Sequence, residues 1–274
     1  MYRKTISMLL IVLFAGCVGA FSQNPTPNTS PAAPATPAQA TNPAATATGQ
    51  TSAPPPPRRD LTPPSPAAVA AVKEKAAAGE MASQAKLATM YALGQGVPRN
   101  LDEAAKWFRK AAEQGDAPSQ LKLGVMYVAG FGVTPNIQEA LTWYKKAAAQ
   151  GNVDAMLQLG NLYENGVQVT KNGREALGWY RMAADKGSTE GALKLGYFYL
   201  NGLDNVQRDY ESALQWFRKA AQQGSGEAEY NLGRMYQEGL GVLASVDEAA
   251  AWYTKAIQHE FSPATVALRN LKRK

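Results

Sequence analysis

The side chains best able to do chemistry are scarce in this sequence. It holds one histidine, His259, and one cysteine, Cys17, at opposite ends of the chain. No Cys/His cluster therefore has the spacing that a metal ion requires. Catalysis needs convergent groups in usable protonation states, and His259 has no partner that the sequence would bring beside it; it is read as structural or surface. The Gly-x-Gly pairs Gly94/Gly96, Gly130/Gly132 and Gly239/Gly241 could suggest a phosphate loop. Such a loop follows a strand and opens a helix, whereas these pairs join two helices. Glu103 and Glu139 each stand three residues after a helix-capping side chain and are assigned to capping. No enzyme, metal site or cofactor is expected.

Charge narrows the partners further. The formal net charge is +6, but Arg3 and Lys4 lie near the start while Arg269, Lys272, Arg273 and Lys274 crowd the end. Between Gly79 and His259 acids and bases roughly balance, so the basic stripe that nucleic acid requires is missing. Nucleic-acid binding is not expected.

What the sequence does contain is a repeat. Aligned segments open at Gly79, Gly115, Gly151, Gly187 and Gly224, with steps of 36, 36, 36 and 37 residues. In step run Tyr91, Tyr127, Tyr163, Tyr199 and Tyr236, then Trp107, Trp143, Trp179, Trp216 and Trp252. A fixed period of this size marks a repeat array.

Each repeat divides into two helices. With the opening Gly as zero, positions 4, 8, 11 and 12 share one helical face, which in the second repeat holds Ser119, Leu123, Met126 and Tyr127. Position 9 is Gly124, Gly160, Gly196 or Gly233, with Ala88 in the first repeat; the lost helix propensity implies close helix–helix approach. Gly94, Gly130, Gly166, Gly202 and Gly239 should end the first helices as C-caps. Asn100, Asn136, Asn172, Asp209 and Ser245 should cap the second helices, whose stripe of Ala104, Trp107, Phe108 and Ala111 recurs as core. Every Trp is placed in that core. The loop Gly202–Arg208 carries the extra residue and should look different.

At the ends, Ser65-Pro66 opens a capping helix over 65–78, and a last helix lies within 262–272. The fold class expected is an all-α, right-handed superhelical solenoid of antiparallel helix pairs spanning 65–274.

Before the array come a leader, 1–21, and a spacer, 22–64. Arg3-Lys4 followed by the apolar run Ile6–Ala15 has the length of a secretory h-region rather than of a membrane span. Two exits stand open: cleavage after Val18-Gly19-Ala20, or Leu13-Phe14-Ala15-Gly16-Cys17, which resembles a bacterial lipobox and would make Cys17 the lipidated residue. The expected location is the periplasm, with anchorage to the outer membrane if Cys17 is acylated. The spacer is Pro-, Ala- and Thr-rich and reads as a disordered tether, with a reach on the order of 100 Å.

The string Leu-Gly-x-x-Tyr-x-x-Gly-x-Gly-Val, followed by Glu-Ala-x-x-Trp-Tyr/Phe-x-Lys-Ala-Ala, resembles the Sel-one-like repeat. Leu123, Gly124, Tyr127, Gly130, Gly132, Val133, Glu139, Ala140, Trp143, Tyr144, Lys146, Ala147 and Ala148 show it nearly complete. Val167-Gln168-Val169 in the third repeat and Leu203-Asp204 in the fourth depart from it, so the departure is expected in the shape of those loops and not in the fold. The resemblance implies a non-catalytic adaptor or scaffold that holds protein partners in its concave groove.

In such a stack the groove is lined by first-helix positions opposite the buried face: 3, 6, 10 and 13. Positions 6, 10 and 13 read Ala85, Thr89, Ala92; Leu121, Val125, Val128; Leu157, Asn161, Glu164; Leu193, Tyr197, Leu200; and Tyr230, Arg234, Gln237. The middle is more apolar than a solvated face, so a partner segment is expected along Leu121–Val128 and Tyr197–Leu200, oriented by Glu164 and Arg234. The alternative is that position 6 is partly buried by superhelical curvature. A different partner class, peptidoglycan or another cell-wall glycan, would use Tyr197, Tyr230 and Asn161.

Overall fold

The computed structural model describes residues 64–203 and 205–272. The leader with Cys17, and the spacer as far as position 63, lie outside the described residues.

Twelve helices are present among the described residues, and no strand. α1 (Pro66–Ala77) precedes five pairs: α2 (Met81–Leu93) with α3 (Leu101–Glu113), α4 (Ala117–Ala129) with α5 (Ile137–Ala149), α6 (Val153–Asn165) with α7 (Gly173–Asp185), α8 (Thr189–Asn201) with α9 (Tyr210–Ala221), and α10 (Gly226–Glu238) with α11 (Val246–Gln258). α12 (Pro263–Leu271) follows. Each first helix packs on the second helix of its own repeat and on that of the repeat before. The all-α solenoid read from the repeat is what forms. None of these helices is long and apolar enough to cross a membrane.

Local chemistry sets the helix boundaries. The side chains of Asn100, Asn136, Asn172, Asp209 and Ser245 each accept a backbone N–H in the first turn of a second helix, which satisfies donors that have no intrahelical partner. The glutamates that follow do not complete the cap with their side chains, contrary to the sequence reading. The Glu103 carboxylate accepts from Lys106 Nζ at 2.7 Å, and that of Glu139 from Trp143 Nε1 at 3.2 Å. Asp116, Asn152, Ser188 and Ser225 cap the first helices in the same way, a row that the sequence reading passed over. Gly94, Gly130, Gly166, Gly202 and Gly239 end the first helices in the left-handed conformation.

The core holds a correction. Of the five tryptophans, only Trp143 is buried; Trp107, Trp179, Trp216 and Trp252 are half-buried. The ring that fills each repeat is the next residue: Phe108, Tyr144, Tyr180, Phe217 or Tyr253, each at most 2 % exposed. Four of these rings lie on the glycine at position 9. A Cβ on Gly124, Gly160, Gly196 or Gly233 would sit 2.5–2.6 Å from a ring carbon of Tyr144, Tyr180, Phe217 or Tyr253. The missing side chain therefore seats a ring rather than a neighbouring backbone. Four of the tryptophans, about 100° round the helix from these rings, lie under lysine ammonium groups. Lys110, Lys146, Lys219 and Lys255 stand 4.1–4.8 Å from the centroids of Trp107, Trp143, Trp216 and Trp252.

The atypical third-repeat loop keeps its shape at a cost. Gln168 occupies the place of Gly132 and Gly241 and adopts their left-handed backbone, with φ +56° against +67° and +69°. An L side chain there is disfavoured by roughly 1–2 kcal/mol, partly offset by the entropy that a glycine loses on folding. Gln168→Gly is expected to stabilise the array by up to about 1 kcal/mol, read as a rise in the urea midpoint with unchanged slope; a fall would overturn this account. In the fourth repeat, Gly202 departs from the other caps, with ψ 71° against 30–35°, and Asn205 takes φ +66°.

The two ends are half repeats. Gln84 Nε2 donates to Ala76 O as Gln120 Nε2 donates to Ala112 O, so α1 stands where a second helix would. Lys75 thereby takes the place of Ala111, and it is exposed where Ala111 is fully buried. At the other end Glu260, at φ +59°, replaces the opening glycine and α12 lies where a first helix would. Position 9, the ring-seating glycine elsewhere, is there the exposed Arg269.

Candidate partner-binding groove

The first helices α2, α4, α6, α8 and α10 bring positions 6, 10 and 13 onto one surface, and hydrogen bonds join it from repeat to repeat. Lys194 Nζ on α8 donates to Glu164 Oε2 on α6 at 2.9 Å. Tyr197 Oη on α8 donates to Glu227 Oε1 on α10 at 2.7 Å and accepts from Asn231 Nδ2 at 2.8 Å.

The apolar members behave in two ways. Leu121, Val125, Val128, Leu193 and Leu200 are half-buried, their inner sides on the core and their outer sides open. Leu157 is 8 % exposed and Ala92 1 % exposed, so both belong to the core. At Leu157 the packing of neighbouring helices closes over position 6, which is the curvature alternative realised at that repeat.

The polar members are tied into the scaffold. Tyr180 Oη lies 2.5 Å from Glu164 Oε2 and 2.8 Å from Asn161 Oδ1. The hydroxyl is within donating reach of both oxygens, and the charged one makes the stronger bond. Burial first, then the bonded carboxylate, push the Tyr180 phenol well above its ordinary range, so it stays a donor. The Tyr197 ring meets Phe217 edge-on at 5.4 Å, and burial with the Glu227 bond raises its phenol too. Tyr230 packs against Tyr253 and Phe261, with centroids 5.6 and 5.3 Å away. Gln237, exposed, accepts from Tyr253 Oη at 2.8 Å, and Arg234 reaches Glu238 at 3.5 Å. Asn161, Tyr197 and Tyr230, the three residues a sugar platform would need, are thus engaged within the fold.

Sequence reasoning missed the partners that lock this surface: Tyr180, Lys194, Glu227 and Asn231. Three of them lie at positions 3 and 7 of the first helices. Reading position 3 across the repeats as well would have shown Asp154, Glu190 and Glu227 in a row.

A family model for the Sel1 repeat matches residues 82–116, 117–152, 153–188, 189–225 and 226–260. The chain belongs to the Sel1 repeat family. Each match opens just inside a first helix and runs through the second, so the family unit is the helix pair described above. Among solved structures, a Sel1 repeat protein from Oxalobacter formigenes is 35% identical, with 70% of this chain and 79% of that one covered and a TM-score of 0.65. The Escherichia coli protein c5321, described as a protective antigen of uropathogenic strains displaying an SLR fold, is 37% identical with a TM-score of 0.69. The match covers 74% of this chain and 43% of c5321, so this chain spans less than half of that protein's length. No curated protein matches the chain. Sel1 repeat proteins generally act as protein-interaction scaffolds and are typically non-catalytic.

Proposed function

We propose that this Sel1 array is a non-catalytic scaffold of the bacterial cell envelope that holds a segment of a partner protein along its first-helix groove. The observation that carries the reading is the half-open apolar row Leu121, Val125, Val128, Leu193 and Leu200. It lies beside polar groups already committed to the fold. A face meant only for water would reverse that distribution, and contiguous apolar area with a polar margin marks contact sites.

Val125 is the position to test. Tyr197, although on the same face, would on change to Glu set a second carboxylate beside Glu227 and disturb the Phe217 packing. A photo-crosslinking side chain at Val125 in cells should yield one discrete protein adduct. The same probe at Thr142, exposed on α5, should not. Val125→Glu should abolish the interaction and leave the helical signal unchanged. Equal adducts from both positions would overturn the groove reading.

The reading also has the chain exported and held at the outer membrane through Cys17, with the spacer as tether. The apolar run Ile6–Ala15 ending on Leu13-Phe14-Ala15-Gly16-Cys17 supports it. Labelled palmitate should enter the natural chain and be lost in Cys17→Ser; label that persists in the variant would sink the anchor.

A further inference from the structure

We propose, resting on the groove reading above, that the segment taken by the groove is a peptide with an apolar face and a row of Lys or Arg along one edge. Charge is unevenly spread over the five first helices. α2 and α4 carry Lys86 and Lys122 and no carboxylate. α6, α8 and α10 carry six carboxylates against two cations, Lys194 and Arg234.

Four of those six carboxylates are engaged within the fold. Glu164 accepts from Tyr180 and Lys194, Glu227 from Tyr197, and Glu238 from Arg234, while the buried Glu229 meets His259 Nδ1 at 2.7 Å. Asp154 and Glu190 remain. They hold position 3 on consecutive first helices and are both exposed, along one margin of the apolar row. Partial burial raises the Glu190 carboxyl above its ordinary range; Lys194 opposes the rise, and the Asp154 carboxylate adds to it in smaller part. Lys194 is shared with Glu164, so it cannot neutralise this margin.

An apolar floor with an anionic edge that one shared lysine only partly offsets fits one chemistry. A partner's apolar side chains would cover Val125, Val128 and Leu200, and its cations would replace the self-repulsion of Asp154 and Glu190 with attraction. An acidic segment would meet like charge along the same edge, which disfavours it. Nucleic acid is disfavoured for the same reason.

Random-peptide display against the full chain tests this. The bound pool should be enriched in Lys and Arg together with Leu, Val, Ile and Phe. Its binding should weaken by about tenfold in Asp154→Asn/Glu190→Gln, and should weaken on raising salt. The melting curve of that variant should be unchanged, since both side chains are exposed. A pool that is acidic or charge-neutral, or one indifferent to the double variant, overturns the basic edge. If such a pool is still lost on Val125→Glu, the groove reading survives alone. A pool that ignores Val125→Glu, or no bound pool at all, overturns both.

Discussion

Valine in place of Gly196 should destabilise the array by roughly 3 kcal/mol, near the top of the range for overpacked cores. A Cβ there would lie 2.5 Å from Phe217 Cε1 and 2.6 Å from Cδ1, far inside van der Waals contact. The ring cannot retreat: Phe217 is fully buried, and the Tyr197 ring stands edge-on to it 5.4 Å away. Removing a glycine from a helix interior returns at most about 1 kcal/mol, so the clash wins. Alanine should cost less, because the first repeat already carries Ala88 at the glycine position and Phe108 at the ring position, both fully buried. Phe217→Leu, harmful alone, should recover part of the loss in the double variant. A coupling of about 1–3 kcal/mol is the expected size for two side chains in contact. Urea melts followed by circular dichroism would give all four corners of the cycle. Additive losses would show that the glycine does not seat the ring.

The second large effect is alkaline unfolding. Burial raises the phenols of Tyr144 and Tyr180 well above their ordinary range and that of Tyr253 to about 12. A raised acid in the folded state leaves stability intact below the unfolded value, near pH 10, and removes it above. There the unfolded chain ionises these three tyrosines while the folded chain keeps them protonated. Each such group then costs about 1.4 kcal/mol per pH unit. Three together cost about 4 kcal/mol per unit until Tyr253 itself titrates, comparable with the whole stability of many domains. Helical signal and tyrosinate absorbance should therefore change together between pH 10 and 12. All twelve tyrosines of the chain ionising near pH 10 with helicity intact would show that these hydroxyls are not shielded.

The repeat and its punctuation were legible because they are local. A capping Asn, an opening glycine and a left-handed glycine act within one turn of helix, so Asn136, Gly115 and Gly130 identify themselves. Which aromatic fills the core was not legible from the same evidence. Trp143 and Tyr144 are adjacent on a helix that packs against neighbours on two sides, and apolar periodicity does not separate two positions 100° apart. The glycine opposite decides it, and that is a relation between helices. The groove was legible in outline: position 10 does stay partly open in every repeat, and position 13 in all but the first, where Ala92 is buried. The closure over Leu157 was not, and neither was the capture of Glu164 and Asn161 by Tyr180. Both depend on how one repeat rotates against the next, which no single repeat encodes.

The half repeats at the two ends have a bearing on growth. Added end to end, a second chain would build one whole repeat at the seam, from α12 of one copy and α1 of the other. That hybrid would hold Arg269 at the glycine position, facing Val72 where other repeats place a ring, and Lys75, a turn away from the same contact, where a fully buried alanine belongs. Two like charges would be driven into one dry joint, each uncompensated, at several kcal/mol apiece. A repeat protein is by construction a fragment of an endless filament, and here a lysine and an arginine bar the next subunit from continuing it.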